Sequence, residues 1–481
     1  MSYVHRLAMP WARPGSLYYF PGQLALKLAL GHAPEHIPAV HDVRIGAREA
    51  ARQLDGARID QLLRHFSDQV RITRVHSAAA SLDKRGKRHE AFDDVEQATG
   101  VARTFLVDVD DDCALADLAD ALRQVGTVEH VSPNYVCALP FHDGKVTAAL
   151  DSDEAWASRD QIRAREAMAY EPGDPAVIVA IVDTGVLLEH PELRGHLRSG
   201  FNTVDFDSPD LASGLHLVGH WTGPDNDPED FVGHGTSCAG IMGAAGDEIP
   251  PGLAGDCELL PIRVLAAAVV PGREEPVGIG AIYDIDRGVK KAMDLGAKVL
   301  NMSFGTPESA LQPNDPKPHA DVCRYGMARG CVLVAASGNS GKEERFLPAA
   351  LDGVIAVGAV GPEGKPSPFA TTGDHVAVAA PGEKIVSAGL YGYQRASGTS
   401  FAAPFVTGTA ALLVSRALRR AESLDGRDVG QILRQSARPF SSGVQAPGLG
   451  SGILDAVGAL RALEKELDRR VGSEGDAGQE L

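Results

Sequence analysis

A serine near the C-terminal end of the chain lies between a glycine turn and an apolar stretch. The segment runs from Gly398 through Thr399 and Ser400 to Pro404, and an apolar run follows it. Glycine permits backbone conformations that other residues avoid, and proline suits the first turn of a helix. We therefore expect Ser400 at a helix N-terminus, where free N–H groups and the helix dipole favour negative charge. That position suits a nucleophile whose substrate becomes an oxyanion, although a serine cap is the commoner use of such a residue.

Two further polar residues stand at the ends of short apolar or glycine-rich segments. Asp183 ends an apolar strand and precedes Thr184 and Gly185. The carboxyl ends of parallel strands are where open α/β sheets place their sites, although an aspartate often only terminates a strand. His234 lies between two glycines at the start of a segment of small residues. A loop or capping histidine is the plainer interpretation, but the glycines indicate close approach of another backbone.

A fourth polar residue, Asn339, follows the apolar strand Val334–Ala336 between flanking glycines. Alone, it is typical of a turn. Taken together, the four residues are what acyl transfer to a serine needs. Ser400 requires a base such as His234 to take its proton, and a carboxylate such as Asp183 orients that base. A carboxamide such as Asn339 can hold the developing oxyanion.

At this point residues 155–462 resemble the subtilisin-like serine peptidases, the subtilases. The resemblance depends on four motifs in the same order: Ile181–Gly185, Gly233–Thr236, Ala336–Asn339 and Gly398–Pro404. It implies that Asp183 orients the base, that His234 is the general base and then the general acid, and that Ser400 is the nucleophile. Asn339 would donate to the oxyanion together with the backbone N–H of Ser400.

The resemblance also implies a substrate-binding strand. The stretch Val299–Gly305 would line the main specificity pocket, with Ser303, Phe304 and Gly305 as its substrate-binding residues, and the segment from Ile282 to Met293 would be the helix that covers it. A bound peptide would add as a strand beside such an edge. The sequence departs from the usual family pattern after Thr236, where Ser237 and Cys238 follow. We expect Cys238 to be a buried packing residue.

Alternating strands and helices between residues 156 and 462 predict an α/β domain with a mostly parallel sheet covered on both faces, as in the three-layer subtilisin-like fold. Before it, residues 1–140 predict a small α+β domain of the ferredoxin-like kind, with a linker at 141–155. Residues 463–481 are charged and glycine-rich, and are predicted to be a disordered tail. The predicted strands of the larger domain are Val177–Val182, Glu258–Val264, Lys298–Met302, Val332–Ala336, Val354–Val360 and His375–Ala379.

The N-terminal domain resembles the inhibitory propeptides of the same family in its arrangement. The clearest match is the segment from Val128 to Val136, where the last strand of a propeptide would lie. We expect this domain to cover the cleft and act as the chain's own inhibitor, with cleavage between Cys137 and Asp153. An intact regulatory domain that is never cleaved is the alternative.

Composition limits the partners. The formal net charge is −18 and the isoelectric point is about 5.3, which argues against nucleic acid or an anionic membrane as the main partner. The six cysteines form no CxxC pair, so we expect free thiols rather than a zinc site or a disulfide framework. No secretory or membrane-spanning segment is evident. We expect a cytoplasmic protein, or a secreted one if the start omits a leader.

Two questions remain open at this stage. Acidic loops at Asp205–Asp210 and Asp225–Asp230 keep calcium as a candidate cofactor, although we name no metal ligand and expect no required cofactor. The main functional prediction is a serine endopeptidase that acts on proteins or peptides. The alternative is a catalytically silent peptide-binding or regulatory protein with the same fold, which would have no need for the full constellation.

Overall fold

The computed structural model describes most of the chain, apart from both termini and several internal segments. The described residues are 18–79, 92–110, 112–139, 145–147, 152–208, 210–212, 215–270, 273, 275–311 and 314–477. Most of the predicted linker and the last four residues lie outside them.

The N-terminal part is a four-stranded antiparallel sheet with helices packed on it. Its elements are β1 Tyr18–Leu28, α1 Val40–Arg44, α2 Arg58–Phe66, β2 Arg71–Arg74, α3 Asp94–Thr99, the 3₁₀ turn Val101–Arg103, β3 Thr104–Asp108, α4 Leu115–Arg123 and β4 Val128–Ala138. The strand order β2-β3-β1-β4 is that of a ferredoxin-like sheet. Leu26, Leu63, Phe105 and Leu118 form its core between the sheet and α2 and α4. The predicted α+β domain is therefore present.

The remaining elements follow in chain order. Their bounds are β5 Lys145–Thr147, α5 Ser152–Gln161, α6 Ala164–Tyr170, β6 Ile178–Asp183, β7 Phe201–Asn202, β8 Asp210–Ala212, β9 Leu215–Val218, α7 His234–Gly243, β10 Glu258–Arg263, β11 Ala266–Val269, β12 Val277–Ala281, α8 Ile282–Asp294, β13 Ala297–Met302, β14 Thr306–Pro307, the 3₁₀ turn Glu308–Ala310, α9 Ala320–Ala328, β15 Val332–Ala336, β16 Phe346–Leu347, β17 Ile355–Val360, β18 Val376–Pro381, β19 Ile385–Gly389, β20 Gly392–Ala396, α10 Thr399–Arg419, α11 Gly426–Ser436 and α12 Ala456–Ala477.

A seven-stranded parallel sheet forms the centre of the larger part, in the order β18-β17-β15-β13-β6-β10-β7. Side chains alternate between its two faces, because successive residues of a strand point to opposite sides. Along β6, Val179 and Ile181 pack in the core with α7 and α10, whereas Ala180 and Val182 pack in the core with α8 and α9. This arrangement confirms the predicted three-layer fold with a mostly parallel sheet.

The two parts share one sheet. The end of β4 pairs antiparallel with β12, so the four N-terminal strands continue into β12, β11, β9 and β8 as a single eight-stranded sheet. A smaller sheet places β5 on the outer side of β20, in the order β19-β20-β5. The described residues on either side of the junction, in β4 and β5, therefore lie against the larger part at two separate strand edges.

Helix α10 is buried along most of its length. Among the described residues it is the one helix whose length and composition would also allow it to span a membrane, but 89% of that window is buried inside the fold. Such burial is what a core helix shows.

The C-terminal end differs from the predicted disordered tail. Helix α12 continues to Ala477, and Leu463 and Leu467 are buried in the main core. The charged composition concealed this helix, because its buried leucines, three or four positions apart, stand among many charged residues.

Candidate active site

Asp183 and His234 meet at the carboxyl edge of the parallel sheet. Asp183 is the last residue of β6, and His234 is the first residue of α7. Nδ1 of His234 lies 2.7 Å from Oδ1 of Asp183, and both side chains are fully buried. A carboxylate at this distance fixes the tautomer of the imidazole and stabilises its protonated form. The backbone N–H of Thr184 also donates to Oδ1 of Asp183 at 2.8 Å, which holds the carboxylate in place.

The glycine after His234 is needed for this contact. A Cβ atom at Gly235 would lie 2.1 Å from the carbonyl oxygen of Gly185 and 3.1 Å from Cβ of Asp183. Distances that short exclude any side chain, so the close approach of two backbones that the sequence indicates is present.

A buried carboxylate holds the N-terminus of α7. Asp230 accepts the backbone N–H groups of Val232, Gly233 and Thr236 at 2.8–3.0 Å, and Oγ1 of Thr236 at 2.7 Å. These are donors that the first turn of a helix leaves without intrahelical partners. The sequence presented Asp230 only as part of an acidic loop, because the fold that returns it to the helix start is not visible in the spacing.

Ser400 is the second residue of α10, as predicted, and α10 packs directly against α7. The ring of Phe401 lies 5.3 Å from the ring of His234, and Sγ of Cys238 lies 3.5 Å from the carbonyl oxygen of Ser400. Oγ of Ser400 donates to the carbonyl oxygen of Ser303 at 3.2 Å. The structure thus brings the predicted acid, base and nucleophile to one edge of the sheet.

Pro404 lies inside α10 rather than in its first turn, since the helix begins at Thr399. Proline has no N–H, so the carbonyl oxygen of Ser400, four residues earlier, loses its helical donor. Oγ of Ser303 takes over and donates to that oxygen at 2.9 Å. The proline therefore frees the backbone of Ser400 to bond to the neighbouring strand.

Further hydrogen bonds between buried side chains hold Oγ of Ser303 in position for its bond to the carbonyl oxygen of Ser400. The side-chain amide of Asn301 donates to Oγ of Ser303 at 2.9 Å, and Oγ1 of Thr407 donates to Oδ1 of Asn301 at 2.9 Å. All three side chains are fully buried. Sequence reasoning placed Asn301 and Ser303 in the predicted pocket stretch without foreseeing these hydrogen bonds, and it did not name Thr407. The sequence signal for Asn301 and Thr407 is a polar side chain inside an apolar strand or on the apolar face of a helix.

Asn339 lies beside the start of α10. Its Oδ1 accepts the backbone N–H of Thr399 at 2.9 Å and Oγ1 of Thr399 at 2.8 Å. Because the acceptor oxygen is occupied in this way, the Nδ2 group points past Gly398, where an added Cβ would lie 3.2 Å from it. The donor side of the amide is therefore directed to the region next to Ser400, as an oxyanion donor requires.

Comparison with known proteins supports the same interpretation. Residues 174–472 match the model of the subtilase family, which is more than half of the chain. The chain belongs to the subtilase family. The resemblance seen in the four motifs is thereby confirmed.

Two curated relatives are serine proteinases. This subtilase is 34% identical to the thermophilic serine proteinase of Bacillus sp. strain AK1, over 55% of this chain and 57% of the relative. It is 35% identical to thermitase of Thermoactinomyces vulgaris, over 53% of this chain and 81% of the relative. The chain thus spans little more than half the length of the first of these relatives. Among solved structures, the prenylagaramide maturation protease PagA matches with a TM-score of 0.50 and 28% identity, covering 62% of this chain and 98% of that one.

The predicted pocket residues of this subtilase are buried. Ser303 belongs to the hydrogen-bond chain described above, and Phe304 stacks edge-on against His319 at 5.4 Å. A Cβ at Gly305 would lie 2.3 Å from the carbonyl oxygen of Leu347, so only glycine fits there. Phe304 lies in the same buried hydrophobic cluster as Cys137 and Leu139 of the N-terminal segment. Contact of the three pocket residues with a substrate stays a prediction.

The edge that does hold a peptide segment is β12, which sequence reasoning did not name. Cys137 and Ala138 pair with Gly280 and Ile279, and the N–H of Leu139 donates to the carbonyl oxygen of Gly278 at 2.9 Å. A Cβ at Gly278 would lie 2.6 Å from Cδ1 of Leu139 and 2.7 Å from Cγ2 of Thr184. Leu139 therefore lies next to the residue that follows Asp183. The paired glycines in β12 were the signal for such a close approach.

Cys238 faces the same centre. Its sulfur, a carboxylate oxygen of Asp183 and a ring nitrogen of His234 lie within 4.8 Å of one another, all buried. Burial, and next the charge of Asp183, raise the pKa of the Cys238 thiol well above its usual value. The side chain is fully buried, as the sequence predicts for a packing residue.

The acidic loops do not fit a calcium site in the described part of the chain. Asp205 and Asp207 each pair with Arg44 at 2.8 Å, and Asp230 is used by backbone donors. Asp225 faces His220 at 3.4 Å. Calcium needs several oxygens converging on one point, and these carboxylates point to different partners.

All six cysteines are free and buried.

Proposed function

We propose that this subtilase is a serine endopeptidase that hydrolyses peptide bonds of proteins or peptides, and that its N-terminal domain holds it latent. The observation that carries the catalytic proposal is the 2.7 Å contact of His234 with Asp183, on a helix that packs against the helix start bearing Ser400. Catalysis needs each of these groups in its place, whereas a silent peptide-binding protein does not.

The chemistry follows from the positions. Oγ of Ser400 attacks the carbonyl carbon of the scissile bond, and Nε2 of His234 takes the hydroxyl proton. Asp183 remains ionised and stabilises the imidazolium that forms. The backbone N–H of Ser400 and Nδ2 of Asn339 bind the oxyanion. The protonated His234 then gives its proton to the leaving amine, and in the second half it activates a water that hydrolyses the acyl ester.

Latency is supported by how the N-terminal domain lies against the rest of the chain. Its last strand occupies the β12 edge up to Leu139, beside the residue that follows Asp183. A segment that occupies this edge competes directly with any substrate that must add there as a strand.

Charged contacts hold the same domain in place. Lys290 of α8 pairs with Glu96 at 2.7 Å, and both side chains are almost completely buried. Nζ of Lys290 also donates to the carbonyl oxygen of Ser77 at 2.9 Å. Lys27 pairs with Asp321 at 2.9 Å. Buried pairs of this kind are specific, because either partner alone would be an uncompensated buried charge.

The experiment that tests the proposal compares purified wild type with Ser400→Ala by intact mass, with a serine-directed fluorophosphonate added to both. We expect wild type to be labelled and to lose roughly its first 140 residues, while the variant stays whole and unlabelled. If wild type is labelled but stays whole, the N-terminal domain is an uncleaved regulatory domain and self-cleavage does not occur. Wild type that neither labels nor hydrolyses casein after removal of the N-terminal domain would contradict the catalytic proposal.

A further inference from the structure

An aromatic ring lies between the two segments that follow neighbouring strands of the parallel sheet. The ring belongs to Phe346, the first residue of β16, which is 7% exposed. From its position we propose that the Phe346 ring fills the inner part of the main specificity pocket, so that the enzyme cleaves after small residues such as glycine, alanine and serine. The proposal rests on the endopeptidase function above and names the class of substrate that this function acts on.

The two walls of the pocket are the segments that leave β13 and β15. These strands are parallel neighbours, with Met302 opposite Ala335. Gly305 lies shortly after the end of β13, and Gly338 lies shortly after the end of β15. Both glycines are therefore at the carboxyl edge of the sheet, where a gap opens between the two departing segments.

The catalytic groups open onto this gap. Oγ of Ser400 donates to the carbonyl oxygen of Ser303 at 3.2 Å, on the β13 side. Asn339, the proposed oxyanion donor, directly follows Gly338 on the β15 side. A substrate carbonyl held between Ser400 and Asn339 belongs to the residue just before the scissile bond. The side chain of that substrate residue therefore lies next to the gap.

The ring of Phe346 reaches both walls of the gap. A Cβ atom at Gly305 would lie 2.6 Å from Cε1 of Phe346, and one at Gly338 would lie 3.1 Å from its Cγ. Because a Cβ atom is only one bond from the backbone, the ring is in van der Waals contact with both glycines. Phe346 belongs to neither of the hydrophobic cores on the two faces of the parallel sheet. Its ring therefore fills the space between the pocket walls.

Hydrogen bonds of the backbone hold β16 beside the pocket. Phe346 and Leu347 pair antiparallel with Pro307 and Thr306 of β14. The carbonyl oxygen of Phe346 also accepts the backbone N–H of Ala350 at 2.8 Å. The backbone that carries the ring is thus bonded at the strand and again four residues later, so the ring is part of the fixed structure of the pocket.

A filled pocket selects its substrates by size. A leucine or phenylalanine side chain of a substrate would need the volume that the Phe346 ring already occupies, and forcing extra carbon atoms into a packed space is unfavourable. A hydrogen atom, a methyl group or a hydroxymethyl group requires little of that volume. The preferred substrates are therefore extended polypeptide segments with glycine, alanine or serine just before the cleaved bond.

The test compares two peptide amides that differ only in the residue before the same leaving group, succinyl-trialanyl-alanine and succinyl-trialanyl-phenylalanine aminomethylcoumarin. Each protein is purified as the full-length chain, and its active centres are counted with fluorophosphonate. We expect wild type to cleave the alanine amide with a kcat/KM at least about tenfold above that of the phenylalanine amide. Phe346→Gly should raise kcat/KM for the phenylalanine amide at least about tenfold and so reverse or abolish the preference. The control Phe440→Gly, which removes a ring packed against β17 and β18, should keep the wild-type ratio.

The outcomes separate this proposal from the endopeptidase function. Protein that neither labels nor hydrolyses casein contradicts the function itself. Wild type that hydrolyses casein but cleaves the phenylalanine amide as well as the alanine amide overturns the role of Phe346, as does an unchanged ratio in a labelled Phe346→Gly variant.

Two further measurements cover the remaining results. If Phe346→Gly is not labelled, Phe346→Leu takes its place, and its phenylalanine amide should be cleaved faster than by wild type, by a smaller factor. If neither amide is cleaved, the cleavage sites in casein are mapped by mass spectrometry. Sites after small residues support the filled pocket, and sites after leucine or phenylalanine overturn it.

Discussion

At the candidate active site, buried polar atoms bond to backbone groups and to one another, whereas at the contact between the two domains they meet as opposite charges. Asp183, Asn339 and Ser303 each hold a neighbouring backbone atom in position. Lys290 and Glu96 instead face each other across the domain boundary. The hydrogen bonds at the active site hold its side chains in position for catalysis, whereas the ion pair holds the N-terminal domain against the larger domain. Changes in one region should therefore leave the other almost unaffected.

The largest expected effect is at the domain contact. Lys290→Met leaves the Glu96 carboxylate buried without its cation, so we expect a loss of about 3–5 kcal/mol in the free energy of unfolding. Urea unfolding in the uncleavable Ser400→Ala background measures it. The matched control is Lys317→Met, whose pair with Glu308 has the same 2.7 Å distance but is half exposed at the lysine. That control should lose less than about 1 kcal/mol. Equal losses would contradict the distinction between the two regions.

The second largest effect is expected on the catalytic rate constant kcat when Asn339 is replaced. Asn339→Asp keeps an acceptor for Thr399 but loses the amide donor, so we expect kcat to fall about 100- to 1000-fold with little change in KM. Steady-state kinetics with counted active centres measures this change. A variant whose KM rises while kcat holds would show that Asn339 positions the substrate rather than the oxyanion.

A smaller effect is expected beneath the nucleophile. Ser303→Ala removes the donor that replaces the N–H missing at Pro404, so we expect about 1–3 kcal/mol less stability in the Ser400→Ala background. Ser309→Ala is the control, because its hydroxyl bonds to Glu344 at the exposed surface. If both alanine variants unfold at the same urea concentration, the carbonyl of Ser400 does not depend on this donor.

The smallest effect concerns pH. His76 is buried in the N-terminal domain, and burial, followed by the charges of Lys290, Arg287 and Arg74, lowers its pKa well below the ordinary value. The unfolded chain therefore binds a proton at His76 that the folded chain does not bind. As a result, the free energy of unfolding decreases as the pH falls below about 6.5. At pH 5.5 we expect His76 to lower the free energy of unfolding by about 1 kcal/mol.

His76→Phe should flatten the fall in stability between pH 7 and pH 5.5, whereas His32→Phe at an exposed position should not. Unfolding of the three proteins at both pH values is the measurement. If the free energy of unfolding falls equally with pH in all three proteins, His76 does not cause the loss of stability.

Much of this could be predicted from the sequence, because the catalytic residues stand in short motifs. Asp183, His234, Asn339 and Ser400 each lie beside glycines or at the end of an apolar strand, and local spacing shows both features. The ferredoxin-like domain was also predictable, since its strands and helices alternate in a regular pattern.

What could not be predicted depends on distant pairs. Asn301 and Thr407 are 106 residues apart, and Glu96 and Lys290 lie in different domains. No local pattern pairs such residues, because only the fold brings them together. The pairing of β4 with β12 and of β5 with β20 was hidden for the same reason. Helix α12 was missed because charge density was given more weight than the few apolar residues that anchor it.

Under the proposed latency, the continuity of the chain between β4 and β5 also has a kinetic consequence. While the chain is continuous, β4 is tethered close to the β12 edge, at an effective concentration on the order of millimolar. If the chain is cut between β4 and β5, the N-terminal domain becomes a separate molecule, and its binding to β12 then depends on its concentration in solution. Cutting and activation would then be two events, and activity would rise fully only after the released domain has been diluted.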